Sequence, residues 1–363
     1  MATKLIGLSR DLIIHPGETL RELLEDRDMT QKELAKRTDF SEKHISKVLN
    51  GQASITSKFA AALAVVFDVN AIFWINLQGN YDLELAEFNA LNSISPAEIS
   101  ILSELKDVVR YMKKSGLLTD GLKPEEDVLQ MRNILSVNNL TIIPSLSFSA
   151  VFRGSATHKI NLYVLFAWIR LCEILAAKVS TTGVLDKQKL KSNIPYIKSL
   201  MFKDISGIRK ELDRTFSDCG IKLCIVKHFT GAPVQGFIER ANSGDIVLCM
   251  TIRNAWADIF WFTLFHEIAH ILNDDVSNRF IDYSFTENEA ERKANEFAED
   301  ILIDPDNYKS FVKAGDFSLV RIRDFAKHEQ VKPYIVIGRL QREHMLQYQA
   351  FSGEKVRYKW TEE

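Results

Sequence analysis

Two histidines and one glutamate lie within five consecutive residues of the C-terminal part of the chain, His266-Glu267-Ile268-Ala269-His270. Residues four apart project from the same face of a helix, so both imidazoles can reach one metal ion. Glu267 follows the first histidine, where its carboxylate can accept a proton from a zinc-bound water that attacks a carbonyl. The spacing therefore predicts hydrolytic chemistry on zinc (Zn²⁺), with His266 and His270 as ligands and Glu267 as general base.

A catalytic zinc ion needs three protein ligands and one open coordination position, so a third ligand must come from another element. A second helix is predicted over residues 287–303, because a capping box precedes an apolar stripe there. Glu291 on this helix is the predicted third ligand, and Asn295, one turn later, is predicted to orient a ligand. Glu287, one turn earlier, is the second candidate for the third position.

The two histidines are expected on a helix over residues 255–273, where apolar residues recur at spacings of three and four. One face of this helix is therefore predicted to lie in a core. Five-residue patterns of this kind also arise by chance, and the histidines would then be surface residues beside a salt-bridging glutamate. The second helix with its carboxylate favours the metal site.

Residues that cap helices recur through the N-terminal part of the chain, at Thr30, Ser41, Thr56 and Asn70. They predict short helices, two of which are joined by a tight turn near residue 39. In many DNA-binding proteins the second helix of such a pair enters the major groove. The polar side chains predicted to contact DNA are Gln31, Ser41, Lys43, His44, Ser46 and Lys47.

The charge distribution agrees with a local DNA contact. The whole chain carries a net charge of −2, so any binding to a polyanion must come from a local patch. Residues 30–58 contain six basic and three acidic side chains, a local balance of +3. The alternative is a helical bundle with a solvated charged face.

Length and composition indicate a globular protein of several domains. The chain has 363 residues, of which 46% are hydrophobic and 26% charged, as is usual for proteins that bury large cores. None of its four cysteines forms a C-x-x-C pair, so we expect buried thiols in a reducing compartment. Neither a signal peptide nor a membrane span is visible, and we expect a cytoplasmic protein without a membrane partner.

These patterns predict an α+β fold that is mostly helical. We expect an all-α helix-turn-helix domain over residues 12–85 and a helical middle region over residues 95–215. A C-terminal domain with a small sheet is expected over residues 216–363. Polar turn residues and a proline near residue 96 mark the first boundary.

The segment MTQKELAKRTDFSEKHISKVLNGQASIT (29–56) resembles the XRE-type helix-turn-helix family. The flanking residues His15-Pro16-Gly17 and the segment 73–78 resemble its HigA-like antitoxin branch. The resemblance covers residues 12–85 and implies operator DNA as a partner. It also implies a homodimer, since such proteins usually read two half-sites.

The segments FWFTLFHEIAHILN (260–273) and EAERKANEFAEDILI (289–303) resemble the ImmA/IrrE family of zinc metallopeptidases. The resemblance covers about residues 140–360 and implies a zincin-like domain, in which a small sheet lies beside the zinc helices. The strands expected here are Gly220–Lys227 and Gly244–Ile252. Two positions depart from the family pattern, Asn273 and Asp304, and neither is a proposed ligand.

Together the two resemblances imply a DNA-binding transcriptional regulator with a zinc-dependent endopeptidase domain. Peptidases of the resembling family cut repressors or antitoxins, so we expect such a protein as substrate. The alternative is a repressor, or an antitoxin of a toxin–antitoxin system, that does not cut and uses its zincin domain as a scaffold or sensor. It would then bind a cognate toxin, but Glu267 disfavours this reading because a scaffold needs no general base.

Overall fold

The chain divides into two compact units, each with a hydrophobic core of its own. The first comprises Met1–Ser103 and Thr119–Leu140, and the second Glu104–Leu118 and Thr141–Glu363. The computed structural model describes residues 10–146, 160–181, 183–234, 236–240, 244–252, 256–274, 280–281 and 289–359. Among these residues, no helix is both long enough and apolar enough to cross a membrane.

The first unit is helical. The helices of this part of the chain are α1 (Pro16–Asp26), α2 (Gln31–Thr38), α3 (Glu42–Leu49), α4 (Ser57–Phe67), α5 (Ala71–Asn92), α6 (Pro96–Glu104), α7 (Lys106–Lys114) and α8 (Pro124–Leu135). Of these, α7 belongs to the second unit.

The helix starts that capping residues predicted are confirmed. The hydroxyls of Thr30, Ser41 and Thr56 accept hydrogen bonds of 3.1–3.3 Å from backbone N–H groups three residues further on. The Asn70 side chain accepts one of 2.9 Å from the N–H of Ile72. Each bond satisfies a donor that the first turn of a helix leaves without an intrahelical partner, and so fixes where the helix begins.

A close backbone approach holds α1 against α3. A Cβ atom at Gly17 would lie 2.1 Å from the carbonyl oxygen of Val48, so this position requires glycine. The Nδ1 atom of His15 caps α1 by accepting a hydrogen bond of 2.9 Å from the Gly17 N–H. The apolar faces of α1 to α5 enclose one core, in which Leu34 and Trp74 are fully buried.

A buried ion pair joins α6 to α8. The guanidinium of Arg132 donates two hydrogen bonds of 2.9 and 2.7 Å to the carboxylate of Glu98, which is fully buried. The N–H of Leu140 donates a third, of 3.0 Å, to the same carboxylate. Burial by itself raises the pKa of Glu98, but these hydrogen bonds and the charge of Arg132 outweigh it and lower the pKa.

The second unit combines a small sheet with helices. In addition to α7 it contains α9 (Leu162–Ala177), α10 (Lys187–Ser199), α11 (Ile205–Asp218), β1 (Ile221–Val226), β2 (Gly236–Arg240), β3 (Ile246–Thr251), α12 (Ala257–Leu272), β4 (Phe280–Ile281), α13 (Glu289–Leu302), α14 (Pro305–Ala314), α15 (Leu319–His328) and α16 (Pro333–Arg342).

The sheet has the strand order β1-β3-β2-β4. Strands β1 and β3 are parallel, whereas β2 is antiparallel to both of its neighbours. All six residues of β3 are buried, as expected for a strand with neighbours on both sides. The two predicted strands are confirmed as β1 and β3, and the mostly helical fold with a small sheet is confirmed as well.

The predicted middle region, residues 95–215, is divided between the two units. Helix α8 packs on α5 in the first unit. Helices α10 and α11 bury Leu190, Leu212 and Phe216 in the same core as the strands of the second unit. The boundary therefore follows where each helix buries its apolar face, and the chain crosses between the units more than once.

Candidate metal centre and nucleic-acid interface

Helix α12 lies in the middle of the second unit. Twelve of its sixteen residues are buried, so it is apolar around most of its circumference, and it packs against α13, α16 and β2. His266 is 4% exposed, His270 is 1% exposed and Glu267 is fully buried. Buried polar side chains need compensating partners, so three of them on consecutive turns of an apolar helix indicate a built site.

Helix α13 brings the third group to these histidines. Ala294 and Ala298 are fully buried on the face of α13 that packs on α12. Their small side chains allow the two helices to approach closely. Glu291, one turn before Ala294, thereby reaches both imidazoles.

Two imidazole nitrogens and the carboxylate of Glu291 converge in the space between the two helices. The Nε2 atoms of His266 and His270 are 3.0 Å apart. The carboxylate oxygens of Glu291 lie 3.2 Å from Nε2 of His266 and 3.4 Å from Nε2 of His270. The structure thus brings together the three residues that the sequence predicted as metal ligands.

The spacing of these atoms fits a zinc ion. Two ligand atoms bound to a tetrahedral zinc at about 2.0–2.1 Å lie roughly 3.3 Å apart. The three observed separations of 3.0, 3.2 and 3.4 Å lie around that value. Two imidazoles and one carboxylate are also a donor set that zinc binds in hydrolases, with one position left open. The residues present therefore fit the ion.

Asn295 lies behind His266, as the sequence predicted. Its Oδ1 atom is 2.9 Å from Nδ1 of His266. When Nδ1 carries the proton and donates to this oxygen, the lone pair of Nε2 points into the site. Such contacts fix both the tautomer and the orientation of a metal-binding histidine.

The charge of Glu291 suits a ligand. Burial alone raises its pKa, but hydrogen bonds and electrostatic interactions with His266 and His270 outweigh burial and hold the pKa at about 2. Glu291 is therefore a carboxylate at neutral pH. Glu287, the second candidate for the third ligand, lies outside the described residues.

One residue that contacts the site, Gly236, is not among the residues predicted from the sequence. It is the first residue of β2, and a Cβ atom there would lie 1.8 Å from Oε1 of Glu267. The backbone of β2 therefore lies directly against the carboxylate of the predicted general base. Nothing in the local pattern around Gly236 signals this contact, because the two residues are 31 positions apart.

The predicted DNA-contacting residues lie at and around α3. Gln31, Ser41, Lys43 and Lys47 are exposed, and Ser46 is half-buried. The Ser46 carbonyl accepts a hydrogen bond of 2.8 Å from the side chain of Asn50, at the C-terminal end of α3. Helix α3 buries Ile45, Val48 and Leu49 on its opposite face, which leaves its polar face open to a ligand.

His44 differs from its neighbours on α3. Its ring stacks on Phe40 at 5.0 Å and meets Phe59 edge-on at 5.1 Å. The side chain is half-buried, and its buried Nε2 atom has no hydrogen-bond partner among the described residues. These contacts favour a packing role for the ring, and a DNA contact by His44 stays a prediction.

The first unit is similar in sequence to known proteins. The profile of the Helix-turn-helix family matches residues 20–74. Virulence-associated protein I of Dichelobacter nodosus is 37% identical over 86 residues, which are 23% of this chain and 80% of that protein. The HTH-type transcriptional regulator YbaQ of Escherichia coli K12 is 33% identical over 90 residues, 24% of this chain and 80% of that protein.

A solved structure of the Pseudomonas aeruginosa antitoxin HigA with the higBA promoter is 34% identical. The similarity covers 23% of this chain and 96% of that chain, with a TM-score of 0.21. The family profile runs from within α1 to the first turn of α5. Through this N-terminal segment, the chain belongs to the helix-turn-helix family.

Proposed function

We propose that this protein is a DNA-binding transcriptional regulator with a zinc-dependent endopeptidase in its second unit. The endopeptidase is of the ImmA/IrrE type and cuts a partner protein, either a repressor or an antitoxin. The observation that carries this proposal is the convergence of His266, His270 and Glu291 beside the buried carboxylate of Glu267.

Operator DNA is the proposed partner of the first unit. The relatives of this segment include proteins named as HTH-type transcriptional regulators. Helix α3 presents Ser41, Lys43 and Lys47 to solvent, and it follows α2 after a tight turn at Asp39, which adopts a left-handed backbone conformation. This geometry suits insertion of α3 into a major groove, with the lysines close to phosphates. A homodimer would read two half-sites.

The metal centre is proposed to hold zinc through His266, His270 and Glu291, with Asn295 fixing the ring of His266. When bound, zinc polarises a carbonyl group and lowers the pKa of water at its open position to about 7. The rest of the chemistry belongs to side chains of the chain itself.

Glu267 is the proposed base in peptide hydrolysis. One of its carboxylate oxygens takes a proton from the attacking water, whose oxygen bonds to the carbonyl carbon of the substrate. The carbon–nitrogen bond then breaks, and the same carboxyl returns the proton to the leaving nitrogen. Full burial of Glu267 keeps bulk water away from this exchange.

The direct test combines the full chain with the protein encoded by the neighbouring gene. We expect cleavage at one peptide bond, detected by mass spectrometry, that stops after chelation and returns when zinc is added. The Glu267→Gln variant should bind zinc and operator DNA normally and leave the partner intact. Cleavage by that variant would refute the mechanism. Normal zinc and DNA binding without any cleavage of the partner would favour the non-cutting repressor or antitoxin.

A further inference from the structure

A cavity outside the metal centre has the properties of a small-molecule site. It has a volume of about 750 Å³ and lies among α10, α15 and the start of α16. Its apolar wall includes Ile194, Ala326 and Val331, each of them buried. Pockets that bind drug-sized molecules typically measure about 300–1,000 Å³ and are mostly apolar with a few convergent polar groups.

Four of the six polar side chains that line this cavity are cationic. Lys198, Arg323, Lys327 and Lys332 line it, and none of the described residues that line it is acidic. Arg323 forms an ion pair with Glu354, so its charge is already compensated. The three lysines are left as an excess of positive charge around an apolar cavity.

Lys198 is half-buried, so its ammonium group is partly removed from water. Burial lowers the pKa of its ammonium group, and the nearby charge of Glu329 opposes this effect. The carboxylate of Glu329 is itself occupied by hydrogen bonds of 2.8 Å from the backbone of Asp304 and the side chain of Asn307. An anion that binds next to such a desolvated ammonium group stabilises its charged form.

The start of α16 adds to the positive potential. Lys332 is the N-cap residue and its side chain makes no capping hydrogen bond, while Pro333 occupies the first turn. Both residues line the cavity, and Lys332 also lies 4.7 Å above the ring of Phe202, another lining residue. A helix N-terminus carries about half a positive charge, which favours an anionic group.

We propose that this cavity binds a small amphipathic anion, a molecule with an apolar body and a carboxylate or phosphate head group. The apolar body lies against Ile194, Ala326 and Val331, and the head group lies between Lys198 and Lys332 at the start of α16. The proposal does not depend on peptidase activity, because none of these residues belongs to the metal centre.

Fluorescence titration of the full chain with two probes tests the proposal. The first probe is anilinonaphthalene sulfonate, an apolar double ring with one anionic group. The second is phenylnaphthylamine, which has the same ring system and no charge. We expect the sulfonate probe to bind about tenfold or more tightly than the neutral one, since a charge-assisted hydrogen bond contributes about that much.

Matched variants localise the site and its charge preference. The double variant Lys198→Met with Lys332→Met should weaken binding of the sulfonate about tenfold and leave binding of the neutral probe unchanged. The control pair Lys191→Met with Lys313→Met removes two exposed lysines of the same unit that do not line the cavity. It should change neither titration by more than about twofold.

A blocking variant covers the case in which the lysine variants fail to fold. Ser199 is exposed at the cavity wall, so Ser199→Trp should fill the space without disturbing the core. It should abolish binding of both probes. Normal binding of both probes by Ser199→Trp would overturn the proposed location. Equal loss of both probes in the lysine variant, or no loss of either, would overturn the preference for an anion.

Discussion

The backbone of Gly236 lies directly against the carboxylate of Glu267. A Cβ atom at position 236 would lie 1.8 Å from Oε1 of the glutamate. Glu267 is fully buried, so its carboxylate has little room to move aside. The carboxylate of the proposed base therefore fills the space that a side chain at the start of β2 would need. Any side chain at position 236 must displace one of them.

Gly236→Ala should consequently impair peptide cleavage more than folding. Overpacking of this kind costs about 1–3 kcal/mol, and a displaced base loses its position relative to the attacking water. We expect the cleavage rate to fall at least about tenfold, while zinc content, measured by elemental mass spectrometry, stays at the wild-type level. Gly353→Ala is the matched control, because a Cβ atom at Gly353 would meet nothing within 4 Å. Equal rates for the two variants would contradict the fitted arrangement.

Glu291→Gln should remove zinc from the protein. The amide keeps the size of the carboxylate but loses the charge that the two imidazoles and the metal ion stabilise. Competition with a fluorescent zinc chelator measures the affinity. Glu296→Gln on the same helix is the control, since Glu296 is exposed and forms an ion pair with Arg292 at the surface. Zinc affinity that stays at the wild-type level in the Glu291 variant would exclude this residue as a ligand.

Asn295→Ala should weaken zinc binding without abolishing it. Removal of a partner that orients a ligand typically costs about 10–100-fold in metal affinity. The ligand atoms themselves remain, so saturating zinc should restore full occupancy. A loss as complete as that of the Glu291 variant would instead indicate that Asn295 coordinates the metal directly.

Arg132→Met should destabilise the first unit by about 3–5 kcal/mol, because it leaves the fully buried Glu98 carboxylate without its counter-ion. Hydrogen exchange of peptides from α8 reads this unit separately from the second. Arg110→Met is the control, since it removes only an exposed ion pair with Asp107, worth at most about 1 kcal/mol.

The ion pair of Glu98 with Arg132 also predicts how the stability of the first unit changes with pH. Folding lowers the pKa of Glu98, so its contribution to stability is fully present above the unfolded pKa. That contribution is lost as the pH falls through the lower pKa of the folded state. Protection of α8 in the wild type should therefore decline on acidification below about pH 4. The Arg132→Met variant should lack this part of the decline.

Lys43→Ala and Lys47→Ala should each weaken binding to a promoter fragment. A lysine that contacts one phosphate contributes about one unit to the slope of log affinity against log salt. Fluorescence anisotropy at several salt concentrations should show that slope falling by about one for each variant. Lys191→Ala, on an exposed position of the second unit, should leave both affinity and slope unchanged. A wild-type slope in both α3 variants would exclude α3 as the phosphate-contacting helix.

Local chemistry explains which parts of the fold could be predicted. Thr30 and Ser41 start helices through hydrogen bonds to residues three positions away, so the signal lies within one turn of sequence. The i, i+4 spacing of His266 and His270 likewise defines a shared face on any helix. A capping box and an apolar stripe likewise predicted the helix that carries Glu291.

Long-range relationships explain what the sequence did not reveal. Glu98 and Arg132 are 34 positions apart. Helix α8 packs on α5, so it belongs to the first unit and not to a separate middle region. The contact of Gly236 with Glu267 likewise depends on how β2 crosses α12. The ring of His44 resembles a polar surface residue in sequence, yet Phe40 and Phe59 enclose it. The contact of Phe40 with His44 is local, but the other contacts join residues that are distant in sequence, where no local periodicity indicates them.

The positions of the cysteines allow opening of the second unit to be measured. All four cysteines lie in the second unit and are buried as free thiols, and Cys224 on β1 lies opposite Cys249 on β3. Burial raises the pKa of Cys249, so it reacts with alkylating reagents only when its surroundings open. The first unit contains no cysteine. The rate of thiol alkylation therefore measures opening of the second unit alone, and allows that opening to be timed in the presence of a promoter fragment.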